Sequence, residues 1–394
     1  METNNQRWML DAELADKQTE WYRHFHNNPE LSMQEYRTTR KIKELLSEMG
    51  ISLQALSGEL GAIGVIEGGG PGPVVVLRAD IDALPIEEES ELPFRSNVKG
   101  ISHMCGHDFH TSALLGAGAY LLENRDQWGG TVKLLFQPGE ETTEGAKYML
   151  SKGALTGEEK AVFGLHNDPL LEAGTVGVKK GPFFAAADTL HIIVRGLKGH
   201  AAMPHLTIDA TVAASAIVMG LQTAVSRNVD PLHPAVVTIG SLHSGQGHNV
   251  VSHLAEMWGT MRTFSKETRQ KLIRIVPRIV EQIGEAYGAS IEMEILPQTP
   301  AVFNDDRITS EFISYLSANL PQVRVKEVGE VMAAEDFAVY QEKVPGCYFL
   351  VGTRDPEKNV IEPWHHPKFK VNESMISLAS ALLIQAALSQ LPKL

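Results

Sequence analysis

Five stretches of the chain, AIGVIEG, PVVVLRADIDALP, TVKLLFQPGEE, AVFGLHNDP and CYFLVGT, are apolar runs that end in polar or turn residues. Strands buried on both faces read this way, because neither face alternates with water. Between them lie segments with helical apolar spacing, such as HTSALLGAGAYLLENR at 110–125. That alternation predicts an α/β domain with a mostly parallel sheet. Residues 8–27 and 33–49 also read as helices, and NNPELS between them breaks the first and caps the second. A last helix is expected at 373–390.

From 187 to 297 the order changes. Strand DTLHIIVRG, helix IDATVAASAIVMGLQTAVSR, strands AVVTIGSLH and LAEMWGTMRTF, helix KETRQKLIRIVPRIVEQIGEAYG and strand SIEMEIL follow one another. Strand, helix, strand, strand, helix, strand is the split pattern of a small antiparallel sheet covered by two helices, a ferredoxin-like α+β unit. We therefore expect residues 1–186 and 298–394 to form one domain and 187–297 to be inserted in it. A length of 394 residues suits two domains. The expected hinges are GPFFAAA at 181–187 and LPQTP at 296–300.

Charge narrows the partners. Lys and Arg number 35 against 48 Asp and Glu, a net charge of −13 with no long basic run. Nucleic acid and anionic membranes are not expected partners. The N-terminal stretch lacks a basic segment followed by an apolar run, and no apolar stretch reaches membrane-spanning length, so a cytoplasmic location is expected. Cys105 and Cys347 are the only cysteines, which excludes a disulfide framework. Cys347, in GCYFLVG, reads as an ordinary core residue.

In open α/β sheets ligands bind at the carboxyl ends of the strands. Here VVVLR leads to Asp80 and Asp82, VKLLFQ to Glu140 and Glu141, and AVFGL to His166 and Asp168. The stretch HMCGHDFH adds Cys105 and His107 before a helix, and PWHHPKF adds His365 and His366. Taken singly, a strand-end histidine is more often structural than a ligand, a Glu pair is usually solvated, and a buried cysteine is usually inert. Jointly they differ: acids at the buried end of a sheet are costly unless a cation compensates them. Cys, His and carboxylate together are the ligand set of zinc and its neighbours.

The runs HNNPELSMQE, RADIDALP, HMCGHDFHT, FQPGEE, GLHNDP, GHAAMPH, AEDFA and WHHPKF span nearly the whole chain. In that order they resemble the amidohydrolase branch of the dinuclear aminoacylase and carboxypeptidase family, which holds hippurate hydrolases, auxin-conjugate hydrolases and N-acetyl-diaminopimelate deacetylases. The resemblance implies two divalent ions per subunit, zinc or manganese with cobalt or nickel as alternatives. It makes Cys105, His107, Glu141, His166 and His365 their ligands, with Cys105 bridging, and Glu140 the base that activates a metal-bridging water. It implies that His200 polarises the substrate carbonyl, sometimes from the partner subunit, and that the chain is a homodimer formed through the inserted domain. The family usually has Ala where Met104 stands and Pro where Ser252 stands; both departures bear on the substrate pocket.

Beside the ligands, Asp80 and Asp108 are candidates to orient histidines. Asn249 and Arg262 are candidates for the substrate carboxylate, although Arg262 on a strand is equally compatible with a solvent-facing role. His103 and His110 read as structural or functional alike. The expected activity is cleavage of N-acyl amino acids to an acid and a free amino acid. The alternatives are a dipeptidase or carboxypeptidase of the same family, a thiol hydrolase with Cys105 as nucleophile and His107 as base, and a non-catalytic metal-binding scaffold.

Overall fold

The computed structural model describes residues 10–394. The chain divides into two compact units, one running through Gly181 and resuming at Phe303–Gly329 and Asp336–Leu394, the other comprising Pro182–Val302 and Glu330–Glu335.

The first unit is built on an eight-stranded sheet in the order Ser52–Leu53, Ala62–Glu67, Gly129–Gln137, Gly70–Asp80, Ala161–Glu172, Gly346–Arg354, Thr175–Val178, Arg324–Glu327. Its four central strands, Gly129–Gln137 to Gly346–Arg354, pair in parallel, while Ala62–Glu67 and Thr175–Val178 join them antiparallel. The central strands are buried almost throughout, in keeping with their unbroken apolar character.

Helices His107–Glu123 and Ile376–Leu388 are buried along nearly their whole circumference, which explains why both are apolar on every side. Helix His107–Glu123 starts earlier than the expected 110, because Gly106 adopts a left-handed conformation (φ +86°) and turns the chain directly into it. Helix Ala12–Asn27 is capped by Asp11, whose carboxylate accepts from the Leu14 amide. Trp8 and Met9, expected at that helix's start, lie outside the described residues. Helix Tyr36–Glu48 begins later than the expected 33, since Met33 has φ +60° and cannot be helical. The terminal helix is Ile376–Leu388 after a 3-10 turn at Glu373–Met375.

The short strands Thr175–Val178 and Arg324–Glu327 and the helix Asp306–Asn319 were not anticipated. Met104, expected to shape a pocket, is instead fully buried in this unit's hydrophobic core, as is Cys347, whose thiol burial pushes up to about 12.

The second unit holds a four-stranded antiparallel sheet, Ala235–Ser244, Leu254–Thr263, Ala186–Arg195, Ser290–Thr299 in spatial order. Leu190, Ile192 and Val194 alternate onto the face where helices Ala210–Ser226 and Lys266–Ala286 pack, and they form one core with Ala214, Ile217 and Val276. Ser252 makes a local turn, its hydroxyl donating to the Leu254 carbonyl at 2.8 Å. Among the described residues no helix is long and apolar enough to cross a membrane.

Candidate metal centre

Four chain segments bring donor atoms together in the first unit. Gly106 has no Cβ, and one there would collide with the Asn167 side-chain amide; the vacancy lets Asn167 donate to the Cys105 carbonyl at 2.6 Å and tie the CGH turn to strand Ala161–Glu172. The thiol of Cys105 then lies 3.4 Å from His166 Nε2. Cys105, His107 and His166 form one group whose ligand atoms all lie within 4.8 Å of one another, and Cys105, Glu141 and His365 form a second. Cys105 belongs to both. His107 also groups with Glu140 and Glu141.

The imidazoles are held in defined tautomers. His107 Nδ1 donates to Asp82 Oδ1 at 3.0 Å and His166 Nδ1 donates to the Asn167 carbonyl at 2.7 Å, which leaves both Nε2 lone pairs facing the cluster. His365 has φ +64°, its amide donates to the Met104 carbonyl at 2.8 Å, and its Nε2 lies 3.4 Å from Glu141 Oε1. His366 turns to Glu362 at 3.5 Å.

Electrostatics favour a cation at this point. His107 Nε2 and Glu141 Oε1 are buried 3.9 Å apart, and neither has a hydrogen-bond partner. Two such orphaned polar atoms are expensive unless a positive charge, a proton or a metal ion, lies between them. Burial opposes a proton on His107, yet Asp80, Asp82 and Glu141 together outweigh it and raise the imidazole to about 10. Burial, then Glu141, Glu140 and Asp80, push the Cys105 thiol far up, so a thiolate there needs a compensating cation. The donor set therefore fits divalent ions, and it disfavours Cys105 as a free nucleophile.

Other expectations need correction. Glu140 and Glu141 do not end a strand: Gly129–Gln137 stops three residues before Glu140, and both glutamates sit in a turn. His166 and Asp168 lie inside a strand that continues to Glu172, and Asp168 accepts from the Leu170 amide at 2.8 Å outside the ligand groups. Asp80 holds His110 Nδ1 at 2.6 Å rather than a candidate ligand; His107 Nε2 is 3.8 Å away. Asp108 faces His26 Nδ1 at 2.6 Å, and Glu88 holds the other side of that ring at 3.1 Å.

The structure gives roles to several supporting residues, of which Asn167, Trp364 and Arg78 escaped the sequence reading. Asp82 orients His107 and also accepts from the Glu141 amide at 3.0 Å. His110 Nε2 accepts from the Asn167 amide at 2.9 Å, so Asp80, His110 and Asn167 form a chain behind His166. Trp364 packs its ring 4.8 Å from His166 and donates to the Asn167 carbonyl at 3.0 Å. Arg78, fully buried, donates to Asp80 (2.6 Å), Gln137 (2.9 Å) and Asp336 (2.9 Å). His103 is buried, with burial foremost lowering it to about 4. The signals for Arg78, Asn167 and Trp364 were present in RADIDALP, GLHN and WHHP, motifs in which neighbouring residues had been singled out.

His200, Asn249 and Arg262 belong to the second unit. His200 and Asn249 are exposed beside the short pair Gly199–His200 and Val250–Val251, where the Ala201 amide donates to the Asn249 carbonyl at 3.1 Å. Arg262 is half-buried on strand Leu254–Thr263, and its Nε donates to Thr260 Oγ1 at 3.0 Å.

The N-acetylcysteine deacetylase of Bacillus subtilis is 42% identical over 380 residues, which is 96% of this chain and 98% of that protein. Thermostable carboxypeptidase 2 of Saccharolobus solfataricus is 38% identical, covering 94% of this chain and 95% of its own. Among solved structures, the Bacillus subtilis YXEP protein, described as a dinuclear metal binding peptidase from the M20 family, superposes with a TM-score of 0.84 at 38% identity, over 96% of this chain and 98% of that one. The profile of peptidase family M20/M25/M40 matches residues 76–389. With a donor set for two ions beside a buried glutamate, the chain is a metal-dependent hydrolase and belongs to peptidase family M20/M25/M40.

Proposed function

We propose that the protein is a metal-dependent amidohydrolase that splits N-acyl amino acids into a carboxylic acid and a free amino acid. The observation that carries the reading is the membership of Cys105 in both ligand groups, with Glu140 buried beside them. The relative that deacetylates N-acetylcysteine supports the substrate class.

In this reading Cys105, His107 and His166 would hold one ion and Cys105, Glu141 and His365 the other. Divalent ions held there would polarise the amide carbonyl and lower the pKa of a bound water towards about 7. Thiolate and imidazole favour zinc, while manganese, cobalt and nickel also suit the set. Glu140 receives the proton at its carboxylate and returns it to the departing amine. We assign His200 to the substrate carbonyl oxygen, and Asn249 and Arg262 to the substrate carboxylate.

The proposal extends to a homodimer formed through the inserted unit, in a cytoplasmic setting. Met219 on helix Ala210–Ser226 is 71% exposed and Leu232 is 86% exposed, beside the edge strand Ala235–Ser244. Light scattering should report a dimer, and Met219→Glu should shift it to monomer.

The test of the activity is hydrolysis of N-acetyl, N-benzoyl and longer N-acyl amino acids and of dipeptides, before and after chelation and with metal add-back. Activity on N-acyl substrates that falls on chelation and returns with one metal supports the reading. Preference for dipeptides would favour the carboxypeptidase alternative, which the Saccharolobus relative represents. Activity that survives removal of the metal would return Cys105 to consideration as a nucleophile.

A further inference from the structure

The segment Ser32–Glu35, part of the motif HNNPELSMQE, has no role in the reaction as described so far. Glu35 occupies the N-cap position of helix Tyr36–Glu48, from which a side chain ordinarily accepts from its own helix's amides. It makes no such bond, and Glu30 Oε2 instead accepts from the Thr38 amide at 2.7 Å. Glu35 turns into the interior, fully buried, and its Oε1 accepts from the Gly139 amide at 2.7 Å and from the Met33 amide at 3.0 Å.

Gly139 is the residue immediately before Glu140 and Glu141. The rest of the segment bears on the same turn. Ser32 Oγ donates at 2.7 Å to Asp82 Oδ2, the oxygen that also accepts from the Glu141 amide. The thioether of Met33 lies where a Cβ on Gly139 would point, so a side chain at 139 would have to displace it, and the φ of +63° there is one that favours glycine.

We propose that Glu35 is a positioning residue for the reaction: by gripping the Gly139 amide it fixes the turn from which Glu140 presents its proton-carrying oxygen. The inference rests on the reading of Glu140 as the proton carrier. A helix cap that served stability alone would bond to its own helix. Glu35 Oε2 is buried with no hydrogen-bond partner. Burial first, and Asp82 second, push this carboxyl up to about 8. A carboxyl that is neutral at pH 7 holds the turn without adding another anion beneath a site already rich in carboxylates.

The experiment compares wild type, Glu35→Ala and Glu35→Gln, all metal-loaded, by steady-state kinetics on an N-acetyl amino acid, by metal content and by hydrogen exchange of peptides across the chain. Glu35→Ala should lose up to about 100-fold in kcat, the scale expected when a reacting group is misplaced by an ångström. KM and metal content should hold, and exchange should accelerate in the peptide spanning 138–145 and at the Met33 amide, the two places where Glu35 Oε1 accepts, and not elsewhere. Glu35→Gln should restore most of kcat, because its amide oxygen accepts from Gly139 as the carboxyl does. If Glu35→Ala does not fold, Glu35→Asp carries the same expectations, since it keeps the acid but shortens its reach.

Wild-type kcat in the Ala variant overturns the proposal. So does a loss of kcat matched by lost metal or shared equally with KM, and so does faster exchange spread over the whole chain. A wild-type enzyme inactive on every N-acyl amino acid would defeat the functional reading instead, and the exchange of the 138–145 peptide would still decide whether Glu35 grips the turn.

Discussion

Asp82 Oδ1 stands 3.0 Å from His107 Nδ1, and this contact sets which nitrogen of His107 faces the metal site. Removing the acceptor in Asp82→Ala should weaken metal binding about 10- to 100-fold, the usual cost of losing such a partner. Competition against a chromophoric chelator measures it. Asp108→Asn should leave metal affinity near wild type, because Asp108 faces His26 instead.

The two glutamates of the turn should separate cleanly. Glu140→Gln is expected to retain its metal and lose about 100- to 10,000-fold in kcat, the range for removing a general acid–base group. Glu141→Gln should lose metal along with activity, since Glu141 Oε1 is the orphaned oxygen between His107 and His365. Elemental analysis beside single-substrate kinetics distinguishes them.

His26 supplies a pH dependence. Burial opposes its charge, but Asp108 and Glu88 outweigh that and raise the imidazole to about 9, above the ordinary 6.5. The folded state therefore binds the extra proton between those values, so the stabilisation is complete below about 6.5 and is lost as pH rises through about 9. His26→Gln should unfold at lower urea than wild type at pH 6, with the gap closing towards pH 9–10. A gap that does not change with pH would show that His26 is not charged in the fold.

Arg78 is the cation shared by Asp80 and Asp336 in a site with no exposure. Arg78→Met should cost about 3–5 kcal/mol in urea unfolding, because it takes the shared cation away from two buried carboxylates. Lys at 78 keeps the charge but cannot fork to all three acceptors, and should fall between.

Much of this was legible in the sequence, and the failures have physical causes. Unbroken apolar runs mark the central parallel strands because both of their faces are dry, whereas the four-residue strands Thr175–Val178 and Arg324–Glu327 are too short to show a period. The donors Cys105, His107, Glu141, His166 and His365 stood in quotable motifs, and the fold does bring their ligand atoms together. Which aspartate serves which histidine was not legible. Asp80 and Asp82 would share a face if the strand continued, but it ends at Asp80, and the turn that follows sends Asp82 to His107 and leaves Asp80 on His110. Where Met104 points was not legible either, since its departure from the family's usual Ala carries no direction: its side chain lies in the core while its carbonyl accepts from the His365 amide.

His365 holds its place with a left-handed backbone, φ +64°, a conformation that costs a non-glycine residue on the order of 1–3 kcal/mol. At this position durability and usefulness are opposed. A chain selected only for heat resistance would gain by exchanging His365 for glycine and would lose an imidazole from the site in doing so, so the histidine's presence here records a demand that folding by itself does not make.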